Sequence, residues 1–214
     1  MRTSLRWVTL ASIALNMILL QAIAHKGSEL TDIRDEASTY RSTIADLEAE
    51  RESLEVELAV INVLDTHRLR VEPAVRQQIA ETILGAASRY DLPPELILAV
   101  IFTESSFDIH AESHVGAVGL MQLMPMTASQ LAAELEVEWR GRQLLTDPQV
   151  NILLGSFYLR KLIHRFDDID TALAAYNIGP NRLRGLMAQS GGYVPKSYAS
   201  KVRRVLAEYR ERFF

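Results

Sequence analysis

The chain of 214 residues contains no cysteine. That absence removes disulfide bonds, Cys-ligated zinc, haem attachment, a thiol nucleophile and lipidation of an N-terminal cysteine. Beyond about residue 73 no stretch alternates apolar and polar residues long enough to make a strand, so an all-α domain is expected. Nucleic-acid recognition motifs are missing too, and the net charge of −4 argues against a nucleic-acid partner. Wholesale disorder is excluded by composition, which is 48% hydrophobic and 23% charged. The length suits one domain with a real core plus an accessory segment.

What is present is unevenly spread. Residues 28–66 hold eleven acids against three arginines, whereas Arg182 to Arg212 carries eight bases against Glu208 and Glu211. Such a basic stretch reads as a solvated surface or as a docking surface for polyanions. From Trp7 to Ala24 there is no formal charge; Arg2 and Arg6 precede this run and His25 and Lys26 follow it. Its length is near the lower limit for spanning hydrocarbon as a helix, and the preceding arginines would stay cytoplasmic. Ala22-Ile23-Ala24 equally resembles a small-residue cleavage site. As an uncleaved anchor or a cleaved signal peptide, residues 1–27 export the rest of the chain.

Residues 28–66 read as a coiled-coil stalk helix. Leu30, Ile33, Ala37, Tyr40, Ile44, Leu47, Leu54, Leu58 and Ile61 recur at spacings of three and four, with Arg51 the one break. A helix with that stripe buries it against another helix, which suggests a parallel homodimer through residues 30–61. Glu29 and Glu36 would face Arg34 and Arg41 of the partner helix, while Glu50 and Glu55 would repel. The other reading is a single long helix lying on its own globular domain.

Residues 67–214 form the expected globular domain. Helical spacing covers Ala74 to Tyr90, and Asp91-Leu92-Pro93-Pro94 then ends one helix and starts the next, from about Pro93 to Glu104. Asp147-Pro148 opens a strongly apolar helix reaching Phe166. Asp170 and Thr171 are expected to cap a short helix ending at Asn177-Ile178-Gly179-Pro180, and Lys196 to Arg212 to form the last.

Glu104 draws attention because it ends the apolar run LILAVIFTE. A carboxylate there is costly to charge, so its pKa should rise, and a carboxylic acid neutral near pH 7 can protonate a leaving sugar oxygen. A glutamate at a helix end is ordinarily surface or structural. The surrounding motifs decide the matter. Glu104-Ser105-Ser106-Phe107, Gly116-Ala117-Val118-Gly119-Leu120-Met121-Gln122-Leu123-Met124-Pro125 and Ala175-Tyr176-Asn177-Ile178-Gly179-Pro180 resemble the soluble lytic transglycosylase (SLT) family. Between them, Asp147-Pro148-x-x-Asn151-Ile152-x-x-Gly155-x-x-Tyr158-Leu159 also fits. The likeness extends from about Tyr90 to Val205.

The resemblance implies a lysozyme-like helical fold, a cleft for the glycan strand of peptidoglycan, no cofactor, and Glu104 as acid and then base. It places Ser105, Gly119, Met121, Gln122, Tyr176, Asn177 and Tyr198 among the substrate-binding residues. Gly116 and Gly119 suit close approach or a tight turn, and Gln122 offers an amide to an N-acetyl or hydroxyl group. Tyr176 and Asn177 suit an opposite wall. Read by spacing alone, Met121, Met124 and Met126 look like core filler. Near its end the family often carries Glu-Thr-Arg-x-Tyr-Val, where this chain has Tyr193-Val194-Pro195-Lys196-Ser197-Tyr198-Ala199-Ser200-Lys201-Val202. Tyr198 takes the Tyr position in one register and Lys201 in another, and His114 stands where proline is common.

Hydrolytic glycosidases use two carboxyl groups. Asp108 and Glu112 lie nearest in sequence to Glu104 but have no counterpart in the family pattern. The implied reaction is therefore cleavage by one carboxylate, with the C6 hydroxyl of N-acetylmuramic acid closing a 1,6-anhydro ring and the substrate's acetamido oxygen stabilising the cation. A bacterial inner-membrane enzyme with its catalytic domain in the periplasm is the resulting expectation. Rivals are a muramidase or chitinase using Asp108, Glu112 or a distant acid, and a membrane-anchored scaffold that binds glycan without cutting it. His110 and His114 around Glu112 do not match HExxH and lack a third ligand, so no metal site is expected.

Overall fold

The computed structural model describes residues 2–67 and 71–214, with side chains from residue 15 onward. Among the described residues there is no strand, only isolated bridges pairing Glu112 with Val118 and Val118 with Leu123. The chain falls into two units, residues 1–53 and 54–214.

In the first unit the backbone is one continuous helix. Helix α1 runs Arg2–Thr66 without a break between the expected anchor and the expected stalk. Leu30, Ile33, Tyr40, Ile44 and Leu47 of the heptad stripe are all exposed. Among the described residues no helix is long and apolar enough to cross a membrane. Residues 7–14 of the expected membrane segment lie outside those whose side chains are described.

The second unit contains the end of α1 and seven further helices: α2 (Pro73–Tyr90), α3 (Pro94–Ser105), α4 (Pro125–Glu134), α5 (Pro148–Phe166), α6 (Ile169–Ile178), α7 (Pro180–Gln189) and α8 (Ser197–Arg212). A short 3-10 turn, Arg142–Thr146, precedes α5. Five of the seven prolines open helices. Proline's fixed φ suits that position, and its missing N–H would have had no partner there. Several helices stop where a residue turns left-handed: Asp91 after α2 (φ 50°), Ser106 after α3 (φ 51°) and Asp167 after α5 (φ 50°). The side chain of Asp147 caps α5 by accepting from the amides of Gln149 and Val150. On α6 the cap is Asp168, which accepts from the Thr171 amide, and not the expected Asp170–Thr171 pair.

The core is built around α3, whose Leu96 to Ile101 are all buried, and α5, which buries Ile152, Leu154, Leu159 and Leu162. Helix α3 packs against α2 and α8, and α5 against α2 and α6. The last turns of α1 join this core through Val60, Val63 and Leu64, so the unit begins before residue 67. His67 stacks on Phe107, lies against the tilted ring of Phe102 and shares a 2.7 Å hydrogen bond with the Tyr209 hydroxyl. Two elements were not anticipated as helices of their own, α4 and α7. The Gly179-Pro180 pair that ends α6 also starts α7, with Gly179 at φ 88° serving both.

Candidate active site

Glu104 is the penultimate residue of α3, one turn beyond a fully buried apolar stretch. Its surroundings are protein on most sides, and burial pushes its carboxyl up from the ordinary 4.5 to about 7. One interaction opposes that rise. Tyr198, the second residue of α8, donates a 2.6 Å hydrogen bond to Glu104 Oε1, which favours the charged carboxylate. Tyr198 is itself buried, and burial together with the nearby carboxylate holds its phenol well above the usual tyrosine range. It is a neutral donor.

The carboxyl opens onto a cleft of about 590 Å³. Besides Glu104, the expected residues Gln122, Tyr176 and Asn177 line it. Ser113, Thr127, Tyr158 and Arg182 also line it, and the sequence had singled none of these out as site residues. Tyr158 sits in a matched motif and Arg182 heads the basic stretch, so both were visible without being assignable. Among the described residues, Glu104 and Arg182 are the charged side chains on the wall. Asp108 is occupied elsewhere, accepting from the His110 amide at 2.9 Å, and Glu112 pairs with Arg142 at 2.7 Å.

The loop between α3 and α4 forms one wall, and its shape depends on a buried clamp. Asn151 of α5, with no exposed surface, accepts from the Met121 amide at 2.7 Å and donates to the carbonyls of Val118 (2.9 Å) and Leu145 (3.0 Å). The Met121 amide and the Leu145 carbonyl thereby gain a partner, and the Val118 carbonyl, which also accepts from the Leu123 amide, gains a second one. Gly119, at φ 81°, lies so close that an added Cβ would fall on the Asn151 amide and the Leu145 carbonyl oxygen. Its role is close approach to Asn151, and it does not line the cleft.

Gln122 also has a left-handed backbone, φ 48°. Its side-chain NH₂ donates to the carbonyls of Ala111 (3.0 Å) and Gly119 (2.9 Å), which leaves the amide oxygen as its acceptor for a ligand.

Tyr176 is buried and donates to the Met121 carbonyl at 2.8 Å, with its ring 5.4 Å from that of Tyr158. It therefore ties the two walls together. Burial, then the neighbouring Glu104, raises its phenol well above the usual range.

The remaining expectations separate. Ser105 turns its hydroxyl back to the Ile101 carbonyl at 3.1 Å and is absent from the cleft wall. Met121 is fully buried with its sulfur against Gly155, so its side chain belongs to the core and only its backbone serves the site. Spacing misled for the other two methionines: Met124 lies on the cleft wall and Met126 is 78% exposed. Neither is core filler. Among the described residues no cluster of His, Asp and Glu could hold a metal ion.

The family model described as the transglycosylase SLT domain matches residues 81–198. The transglycosylase of Enterobacteria phage PRD1 is 41% identical over 122 residues, 57% of this chain and 40% of its own length. The membrane-bound lytic murein transglycosylase F of Desulfosudis oleivorans is 38% identical over 136 residues, 59% of this chain and 28% of its own. Among solved structures, an inactive glutamate-to-glutamine mutant of the lytic transglycosylase Slt from Pseudomonas aeruginosa superposes with a TM-score of 0.54 at 30% identity, covering 62% of this chain and 24% of that one. The 70 kDa soluble lytic transglycosylase from Escherichia coli gives a TM-score of 0.55 at 28% identity, covering 61% and 24%. This chain thus spans well under half the length of these relatives.

Proposed function

Because the chain belongs to the transglycosylase SLT domain family, we propose that it is a lytic murein transglycosylase, cleaving the β-1,4 bond between N-acetylmuramic acid and N-acetylglucosamine in peptidoglycan. The observation that carries this reading is the environment of Glu104: a carboxyl held near neutrality by burial, opening on a cleft whose other charged side chain, among the described residues, is an arginine. Protonated Glu104 gives its proton to the glycosidic oxygen as the C1–O bond breaks. The carboxylate so formed takes the proton of the C6 hydroxyl of the same N-acetylmuramic acid, whose oxygen bonds to C1. One bond breaks, one forms, no water enters, and Glu104 ends protonated. The nucleophile is intramolecular, so its encounter entropy is already spent.

Within this mechanism Tyr198 orients the acid, the Gln122 amide oxygen accepts from a sugar hydroxyl or N–H, and Asn177 bonds the sugar from the wall where Tyr158 and Tyr176 sit. The hydrolytic alternative needs a second carboxylate to activate water. Asp108 and Glu112, committed to a local amide and to Arg142, are poorly disposed for that task. Mass analysis of peptidoglycan digested by the full chain decides between them. Anhydro-muropeptides are expected; reducing ends heavier by one water would mean a hydrolase, and no cutting a glycan-binding scaffold.

The N-terminal unit supports a positioning role. Its uncharged run from Trp7 to Ala24 fits export and anchoring at a bacterial inner membrane, with the catalytic unit in the periplasm. The exposed stripe from Leu30 to Leu47 fits a parallel pairing of two copies. Equilibrium sedimentation of the full chain in detergent tests the pairing, with a dimer expected.

A further inference from the structure

Several bases of the C-terminal stretch are held by protein partners. Arg184 bonds the Asn181 side chain at 2.6 Å, Arg203 pairs with Asp170, and Arg210 pairs with Glu95 at 3.0 Å. None of these residues lines the cleft. Arg182 does line it, and among the described residues its guanidinium has neither an ion pair nor a hydrogen bond.

The helix that carries Arg182 does not account for the charge. Arg182 stands in the first turn of α7, which has no acidic residue and no side-chain cap. A cation there meets the positive end of the helix dipole and is disfavoured by it. Arg182 does not serve the acid either, since burial and the Tyr198 bond are what set the Glu104 carboxyl. While Glu104 is protonated, the arginine is the one charge on the wall among the described residues.

That charge bears on the chemistry. Breaking the glycosidic bond gathers positive charge at the anomeric carbon. A guanidinium left unneutralised in the same cleft opposes this, the more so where protein and substrate displace water. A substrate that brings its own anion removes the opposition and gains a bond.

We propose that Arg182 selects the substrate by binding a carboxylate attached to its N-acetylmuramic acid. This rests on the function proposed above. The sugar carries a lactyl ether whose carboxyl is either free or joined to a stem peptide with carboxylates of its own, so both forms offer an anion. N-acetylglucosamine offers none. The guanidinium presents paired N–H donors that match the two oxygens of a carboxylate, and such bonds are stronger than those to a neutral amide. Arg182 is exposed, so the fork is open to a ligand.

The test uses four substrates: peptide-free strands with free lactyl carboxylates, strands bearing stem peptides, and each of these after its carboxylates are converted to amides. The full chain should cut at least one acid form with kcat/KM about fivefold or more above that of its amidated twin. Arg182→Gln should fold normally, close that gap and cut the amidated strands no more slowly than the unaltered protein. Arg182→Lys, which keeps the charge without the fork, should restore part of the gap. A gap in the peptide-free pair assigns the lactyl carboxylate, and one confined to the other pair assigns the stem peptide. No gap in either pair, a gap unchanged by Arg182→Gln, or an equal loss on all four substrates would each overturn the proposal. Calorimetric binding of the same strands to Glu104→Gln, with and without Arg182→Gln, reads the preference without cutting. Failure of the unaltered chain to cut, with the preference intact, removes the enzyme reading alone. Cutting without any preference removes only the role of Arg182.

Discussion

Replacing Glu104 by glutamine should make the protein inactive and, above neutral pH, more stable. The amide keeps the shape of the side chain, and its oxygen can still accept the Tyr198 hydroxyl. What disappears is the titration. Below the ordinary value of 4.5 the acid is protonated in both folded and unfolded chains, so pH does not distinguish them. Between 4.5 and about 7 the unfolded chain has released the proton and the folded one has not, so the stability that burial allows the neutral acid is lost as pH rises. Above about 7 the folded form ionises as well and the loss levels off. At roughly 1.4 kcal/mol per tenfold change, that interval amounts to about 3 kcal/mol. Urea unfolding of both proteins at about pH 4 and about pH 8 measures it as a difference of differences, in which every other titrating group cancels. A gain for the glutamine variant smaller than about 1 kcal/mol between the two conditions would refute the claim that this carboxyl is neutral when folded. The parallel assay is cutting: kcat/KM of the unaltered protein should fall about tenfold per pH unit above neutrality, while the variant shows no cutting at any pH.

Other consequences are as concrete. Tyr198→Phe deletes the bond that favours the charged acid, so Glu104 should titrate higher, and the alkaline limb of the pH–rate profile should move up while kcat falls about tenfold or more. An unmoved limb would mean that the hydroxyl does not control the acid. Asn151→Leu strips the Met121 amide and the Leu145 carbonyl of the partner Asn151 gives them and should cost about 2–5 kcal/mol in denaturant unfolding. Gly119→Ala forces a left-handed φ on a residue whose Cβ meets the same asparagine, and should cost about 2 kcal/mol or more. Both losses should come with reduced cutting, because the cleft loop hangs on that clamp.

Much of the helical layout was legible because its signals are local. Prolines at helix starts, the Asp147 cap and the apolar runs of α3 and α5 act within a few residues of themselves. The errors fall where one signal does two jobs or where distance matters. Gly179-Pro180 reads as a stop, and it is one, yet the same proline opens α7. The methionines of the cleft loop share a spacing that suggests one buried face, but the loop is irregular there, so Met121 goes in while Met124 comes out. Asn151 was visible within a motif, but its purpose depends on backbone groups 30 and 33 residues away, at Met121 and Val118. The raised carboxyl of Glu104 was expected from the apolar run before it, but the residue stood out from other helix-end glutamates only through the family-like motifs around it.

The Tyr198 contact answers a requirement that burial alone does not meet. In the proposed mechanism one group must donate a proton and then recover one, and both transfers go well only when its pKa lies near the working pH. A carboxyl sunk further into the apolar end of α3 would remain protonated but make a feeble donor, and its charged form after donation would be too costly to form readily. A carboxyl left in water would be ionised before the substrate arrived. Placing the acid at the last turn of α3, with apolar helix behind, open cleft in front and one neutral phenol bonded to its oxygen, sets these tendencies against one another at about 7. The fold reaches this balance by packing α8 against α3, which brings in a tyrosine from 94 positions along the chain. In the proposed mechanism that contact is the opposing stabilisation that lets one acid serve in both steps.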